Sequence, residues 1–126
     1  MEVTAFRVVR HTRQFDAMLA FYRDVLEMRA VQSWKRPGNV GALLSPSRAV
    51  GQAMIELLDL KARATRKGRP ANVELSLEVR DVDAWHDRLR RQGVRIVDAL
   101  EDKPWGHRAF SIEDPDGMQI SLYEVI

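Results

Sequence analysis

The chain has 126 residues, 45% of them hydrophobic and 30% charged, with a net charge of +2. That is the size of one domain with a single core, and a mean hydropathy of -0.32 fits a soluble globular protein. Cysteine is absent, which excludes a disulfide framework and thiolate zinc or iron–sulfur sites. No apolar run approaches the ~20 residues that span a bilayer, and "MEVTAFRVVRH" lacks the apolar core of a secretory signal. A cytoplasmic location is expected, and a membrane partner is not.

The first extended stretch, "AFRVVRH" (5–11), leads into "QFDAMLAFYRDVL" (14–26). There Phe15, Met18, Leu19, Tyr22 and Leu26 recur at helical spacing on one face. Strand-like pieces follow at about 29–35, 40–45 and 52–59, parted by Pro37-Gly38-Asn39 and Ser45-Pro46-Ser47. "KARATRKGRP" (61–70) then carries five cations and no acid. No aromatic side chain is interleaved to stack a base, so it reads as a solvated basic linker and nucleic acid is not an expected partner.

The second half repeats the plan. "NVELSLEV" (72–79) alternates Val73, Leu75, Leu77 and Val79 with polar residues. "DVDAWHDRLRRQG" (81–93) places Val82, Trp85, His86 and Leu89 on one helical face, with Asp81 as N-cap and Gly93 as C-terminal stop. Trp85 and His86 take structural roles in this reading. Strands follow at about 94–100, 107–113 and 118–125, with turns at Pro104-Trp105-Gly106 and Asp114–Gly117. "QFDA" and "DVDA" stand 67 positions apart.

Each half therefore reads β-α-β-β-β. The expected fold is α+β, one domain over 1–126, with modules at about 1–60 and 71–126. In each module the apolar alternates should pack on the helix. The polar alternates should face a concave cup, with the helices outside.

The stretches "FDAMLAFYRDVLEM" (15–28), "AMIELLDL" (53–60), "LSLEVRDVDAWHDRLRRQGVRI" (75–96) and "PWGHRAFSIEDPDGMQISLYE" (104–124) carry a resemblance. The chain resembles the vicinal oxygen chelate superfamily of glyoxalase I, bleomycin-resistance proteins and extradiol dioxygenases. It departs at Leu26-Glu27-Met28, where the family usually has glycine in the middle. A glutamate in a left-handed conformation there costs on the order of 1 kcal/mol, unless the chain turns differently.

Metal-using members take ligands from the first and last strands of each half. The resemblance puts those positions at Arg7, Glu56, Glu74 and Ser121. This is a poor donor set. A guanidinium offers no lone pair, serine is a weak ligand, and two carboxylates hold magnesium or manganese only loosely. His11 lies ~13 Å along the strand from Arg7 and should not reach the same centre. No cofactor is expected and a divalent metal is disfavoured. Arg7 is expected to supply the positive charge instead, bridging Glu56 and, if the halves meet as in the family, Glu74.

Trp34, Trp105, His107 and Tyr123 are further candidate ligand contacts, as aromatic walls or polar groups. His107, Ala109 and Ser111 should face the cup while Phe110 and Ile112 face the helix. Gln119 should lie at the rim. The resemblance then implies a metal-independent small-molecule binding protein, for an antibiotic or aromatic metabolite, and a homodimer. The alternative is a lyase, isomerase or dioxygenase-like enzyme, with or without a divalent metal, using Glu56, Glu74 or His107 catalytically. A pocketless interaction module, supported by the basic linker alone, is the third reading.

Overall fold

A computed structural model describes residues 7–46, 53–59 and 73–126. The basic stretch 61–70 lies outside the described residues. The chain divides into two compact units, Met1–Lys67 and Gly68–Ile126.

The first unit holds β1 (Arg7–Thr12), α1 (Phe15–Ala20), β2 (Arg29–Arg36), β3 (Asn39–Ser45) and β4 (Met54–Asp59). Its strands form one mixed sheet in the order β1-β4-β3-β2, with β1 parallel to β4 and the other pairs antiparallel. The second unit holds β5 (Glu74–Glu78), α2 (Val82–Arg91), β6 (Ile96–Asp102), β7 (His107–Glu113) and β8 (Gln119–Val125). Its sheet runs β5-β8-β7-β6 with the same pattern of directions. Both units are β-α-β-β-β, as the sequence repeat predicts.

Alternation decides which face meets the helix. In the first sheet, Ala42, Leu44, Ile55 and Leu57 are buried, as are Met18, Tyr22 and Leu26 of the helix. Arg10 is also buried on this face, where its guanidinium donates to the Tyr22 hydroxyl at 3.3 Å. In the second sheet, Phe110, Ile112, Ile120 and Leu122 pack with Val82 and Leu89 of α2. His86 meets Phe110 edge-to-face, with centroids 5.1 Å apart. Trp85 is only half-buried, with the Arg88 guanidinium 5.1 Å above its ring, so it is less of a core residue than the helical spacing suggests. Val73 is exposed too, because β5 is an edge strand and the apolar alternation outruns its cover.

The helix ends explain several motif residues. α1 continues into a π-helical turn over Phe21–Val25, with Leu26 N–H donating to the Phe21 carbonyl at 3.0 Å. Glu27 then takes φ 58°, the left-handed conformation the family usually gives to glycine. Asp81 caps α2 through Ala84 N–H at 3.2 Å. Glu124, from the far end of β8, accepts from Val82 N–H at 3.0 Å and neutralises a second free N–H of that helix. Arg108 joins Asp83 of α2's first turn through two hydrogen bonds and Asp102 of β6 through a third. The hydrogen bonds from Arg108 hold the Asp83 carboxyl below the ordinary aspartate range, and both carboxylates push the arginine higher still.

The Asp114-Pro115-Asp116-Gly117 turn has a structural purpose. The Asp114 side chain is buried, and its Oδ1 accepts from the Asp116 and Met118 amides, each at 2.9 Å. Gly117, at φ 84°, donates to the Asp114 carbonyl. The turn thereby sets the register in which β7 meets β8, with Ser111 opposite Ser121.

Candidate functional site

The sheet faces away from the helices carry the candidate residues. In the first unit, Val9 pairs with Glu56, and Glu56 with Leu43, which pairs with Gln32. One step along, His11 pairs with Leu58, Leu58 with Gly41 and Gly41 with Trp34. Arg7 sits opposite Met54, one alternation from this register, and reaches diagonally to Glu56 Oε1 at 3.1 Å. The Glu56 side chain is 17% exposed and that of Arg7 44%. The expected Arg7–Glu56 pair is therefore formed. Glu74 belongs to the other unit.

Trp34 is positioned by two neighbours. Its Nε1–H donates to Asn39 Oδ1 at 2.8 Å. Its ring lies over Gly41, where an added Cβ would stand 2.3 Å from Cζ2. Trp34 lines a cavity of about 430 Å³ with Arg7, Gln32, Arg36 and Glu56. It also borders a second cavity of about 560 Å³ at the start of α1, beside Phe15, Lys35 and Asp59. No motif of the sequence pointed to that second cavity.

In the second unit the same ladder recurs with other residues. Ser76 pairs with Ser121, and Ser121 with Ser111, which pairs with Asp98. The 67-residue offset that relates the helices also relates Val9 to Ser76 and Arg7 to Glu74. Glu56 and Ser121 thus hold equivalent places, as the resemblance implies. A cavity of about 400 Å³ is lined by Glu74, Ser76, Asp98, Trp105, His107 and Tyr123, together with Ser121. His107 stacks on Tyr123, with centroids 4.3 Å apart and planes 14° from parallel. Trp105 is 67% exposed in the turn before β7.

Gln119 lines the same cavity from the first residue of β8. It is half-buried and donates to Asp98 Oδ2 at 3.2 Å and to Ser111 Oγ at 3.3 Å, tying β8 to the neighbouring strands. Ser76, Asp98, Lys103 and Arg36 line the cavities but were not among the candidates. Parity along the strands would have found Ser76, which shares a face with Glu74. It would also have found Arg36, two residues from Trp34 in an unbroken register; Asp98 and Lys103 depend on a bulge and a turn, which shift parity.

Among the described residues no cluster of three or more histidine and carboxylate side chains is placed to hold a metal. Of the four ligand positions, Arg7 has no lone pair to give and its guanidinium takes up Glu56 Oε1. Ser121 supplies a hydroxyl. This donor set does not fit a divalent metal.

Comparison with known proteins places this geometry. The family model of the Glyoxalase/Bleomycin resistance protein/Dioxygenase superfamily matches residues 6–122. The uncharacterised protein Rv0887c of Mycobacterium tuberculosis is 42% identical over 55 residues, covering 44% of this chain and 31% of that protein. The aligned part is thus about a third of that relative's length. Among solved structures, lactoylglutathione lyase from Agrobacterium tumefaciens shares 25% identity at a TM-score of 0.68, covering 94% of this chain and 91% of that one. A superfamily member from Sphaerobacter thermophilus shares 26% identity at a TM-score of 0.76, covering 98% of each chain. With the family model spanning both β-α-β-β-β units, the chain belongs to the glyoxalase/bleomycin resistance protein/dioxygenase superfamily.

Proposed function

We propose that this chain is a small-molecule binding protein of the glyoxalase/bleomycin-resistance type that works without a metal. The observation that carries this reading is the 3.1 Å bond from Arg7 to Glu56. A cation that a relative would recruit from solution is supplied here by the chain itself. The guanidinium neutralises Glu56 and occupies its oxygen, so the face is left to bind ligands through aromatic and polar groups. Trp34 on one unit, and Trp105 with the His107–Tyr123 stack on the other, supply flat surfaces for planar organic ligands such as an antibiotic or an aromatic metabolite. A cytoplasmic homodimer belongs to the same proposal, by analogy with the family.

A second reading draws on His107. It lines the same cavity as Glu74, from the opposite end of β8, and a histidine on a cavity wall suits acid–base work of the lyase or isomerase kind. Metal content of untagged protein, followed by calorimetric titration with manganese, iron, nickel and zinc, tests the proposal. No stoichiometric metal and no heat of binding are expected. Stoichiometric metal that disappears in Glu56→Gln would overturn it and make the chain a metal-dependent enzyme.

A further inference from the structure

The two candidate cavities differ in charge, and the first carries the clearer signal. Its ionisable lining is Arg7, Arg36 and Glu56. Glu56 is engaged by Arg7. Arg36 has no carboxylate partner among the described residues, so it leaves a net positive charge beside Trp34. The second cavity instead presents Glu74 and Asp98, and its Lys103 is drawn to Glu101.

Trp34 and Arg36 lie two residues apart on one face of β2, and Arg36 pairs with Asn39, the residue that holds the indole N–H. The ring is therefore fixed before any ligand arrives, by the bond to Asn39 and by the missing Cβ of Gly41. A preordered aromatic surface loses little rotamer freedom on binding. Gln32 adds an amide to the same wall.

We propose that this first-unit cavity binds a planar aromatic carboxylate, with its ring on Trp34 and its carboxylate on Arg36. Arg7, its charge balanced by Glu56, leaves Arg36 as the net charge of the cavity. A cavity of about 430 Å³ accommodates a bicyclic acid. Arginine suits the role because its planar donors match a carboxylate in a bidentate fashion. The inference rests on the small-molecule reading above and specifies the ligand class for this face.

The test uses the full chain and three naphthalene probes of equal ring size: 2-naphthoate, 2-naphthamide and 2-(aminomethyl)naphthalene. Binding is read by calorimetry and by quenching of tryptophan fluorescence. 2-Naphthoate should bind at one site per chain, about tenfold more tightly than the amide, as expected for a charge-assisted hydrogen bond. Arg36→Gln should abolish that preference while leaving the amide unaffected. Trp34→Leu should weaken both probes about fivefold, the loss of one aromatic contact, and Trp34→Phe should restore part of it. Added salt should weaken the acid alone. The inference is overturned if 2-naphthoate binds no better than the amide, or if Arg36→Gln leaves the preference intact. Binding of the amine but not the acid would sink the carboxylate assignment and leave the small-molecule reading standing. Stoichiometric metal in the purified protein would sink that broader reading.

Discussion

Gly41 is the position where a single methyl group should be felt most. An added Cβ would stand 2.3 Å and 2.6 Å from two atoms of the Trp34 ring and 2.9 Å from the Leu57 carbonyl oxygen. All three distances are below any stable contact. The carbonyl belongs to the β3–β4 ladder and cannot yield, so the indole must leave. In leaving it forfeits the bond to Asn39, about 1 kcal/mol, and overpacking adds roughly 1–3 kcal/mol. Gly41→Ala should therefore destabilise the chain by about 3 kcal/mol, which lowers the melting temperature by roughly 10 °C for a protein of this size. The assay is thermal unfolding by circular dichroism, run as a double-mutant cycle with Trp34→Ala. Removing the ring should relieve the clash, so Gly41→Ala should cost at least about 1 kcal/mol less in that background. An unchanged cost in the Trp34→Ala background would show that the ring does not lie on Gly41, and the preordered aromatic surface would go with it.

Three further outcomes are expected. Asp114→Ala should cost roughly 2–3 kcal/mol, since it strands the buried Met118 amide as well as that of Asp116; Asp114→Asn, which keeps an acceptor, should cost less by denaturant titration. Asp83 has its carboxyl held below the ordinary aspartate range by Arg108, so its ion pair stabilises the fold above the unfolded aspartate pKa of about 3.9. That stability is lost as pH falls through the lower folded value, and the melting-temperature gap between wild type and Asp83→Asn, present at pH 7, should close in acid. Glu124→Ala should remove a cap from α2 and cost about 1 kcal/mol, with faster hydrogen exchange confined to the first turn of that helix.

The fold was legible because the signals that set it are local and repeated. Two helical faces 67 residues apart, each flanked by alternating strands, leave little choice of topology. Glu27 shows the same logic in one residue: the family pattern predicted a left-handed turn, and the chain makes it at φ 58° without the glycine. The faces away from the helices were legible only where parity runs unbroken. Arg7, Glu56, His107 and Ser121 lie where counting by twos puts them. Trp34 was found as an aromatic, but what orients it was not. Asn39 lies across a turn and Gly41 on the neighbouring strand, and neither relation follows from spacing alone. The bond from Gln119 to Asp98 does not follow from spacing, because it reaches β6, where a bulge shifts the register.

The two units share a register and differ in chemistry, and the division is physical. Residues facing the helix are constrained by packing: Leu57 and Leu122 hold equivalent places and both are buried to within 1%. On the other face burial is uneven: Leu43 and Ser111 are buried, while Val9, Gln32, Ser76 and Asp98 are exposed. There the row Val9, Glu56, Leu43 and Gln32 of the first unit becomes Ser76, Ser121, Ser111 and Asp98 in the second. A carboxylate needing a cation has become a hydroxyl that needs none, and the arginine that serves Glu56 has become Glu74. Charge on the two faces has thus separated while the scaffold stayed fixed. Each face therefore meets a ligand with its own chemistry: an arginine beside an indole on the first unit, carboxylates and hydroxyls on the second.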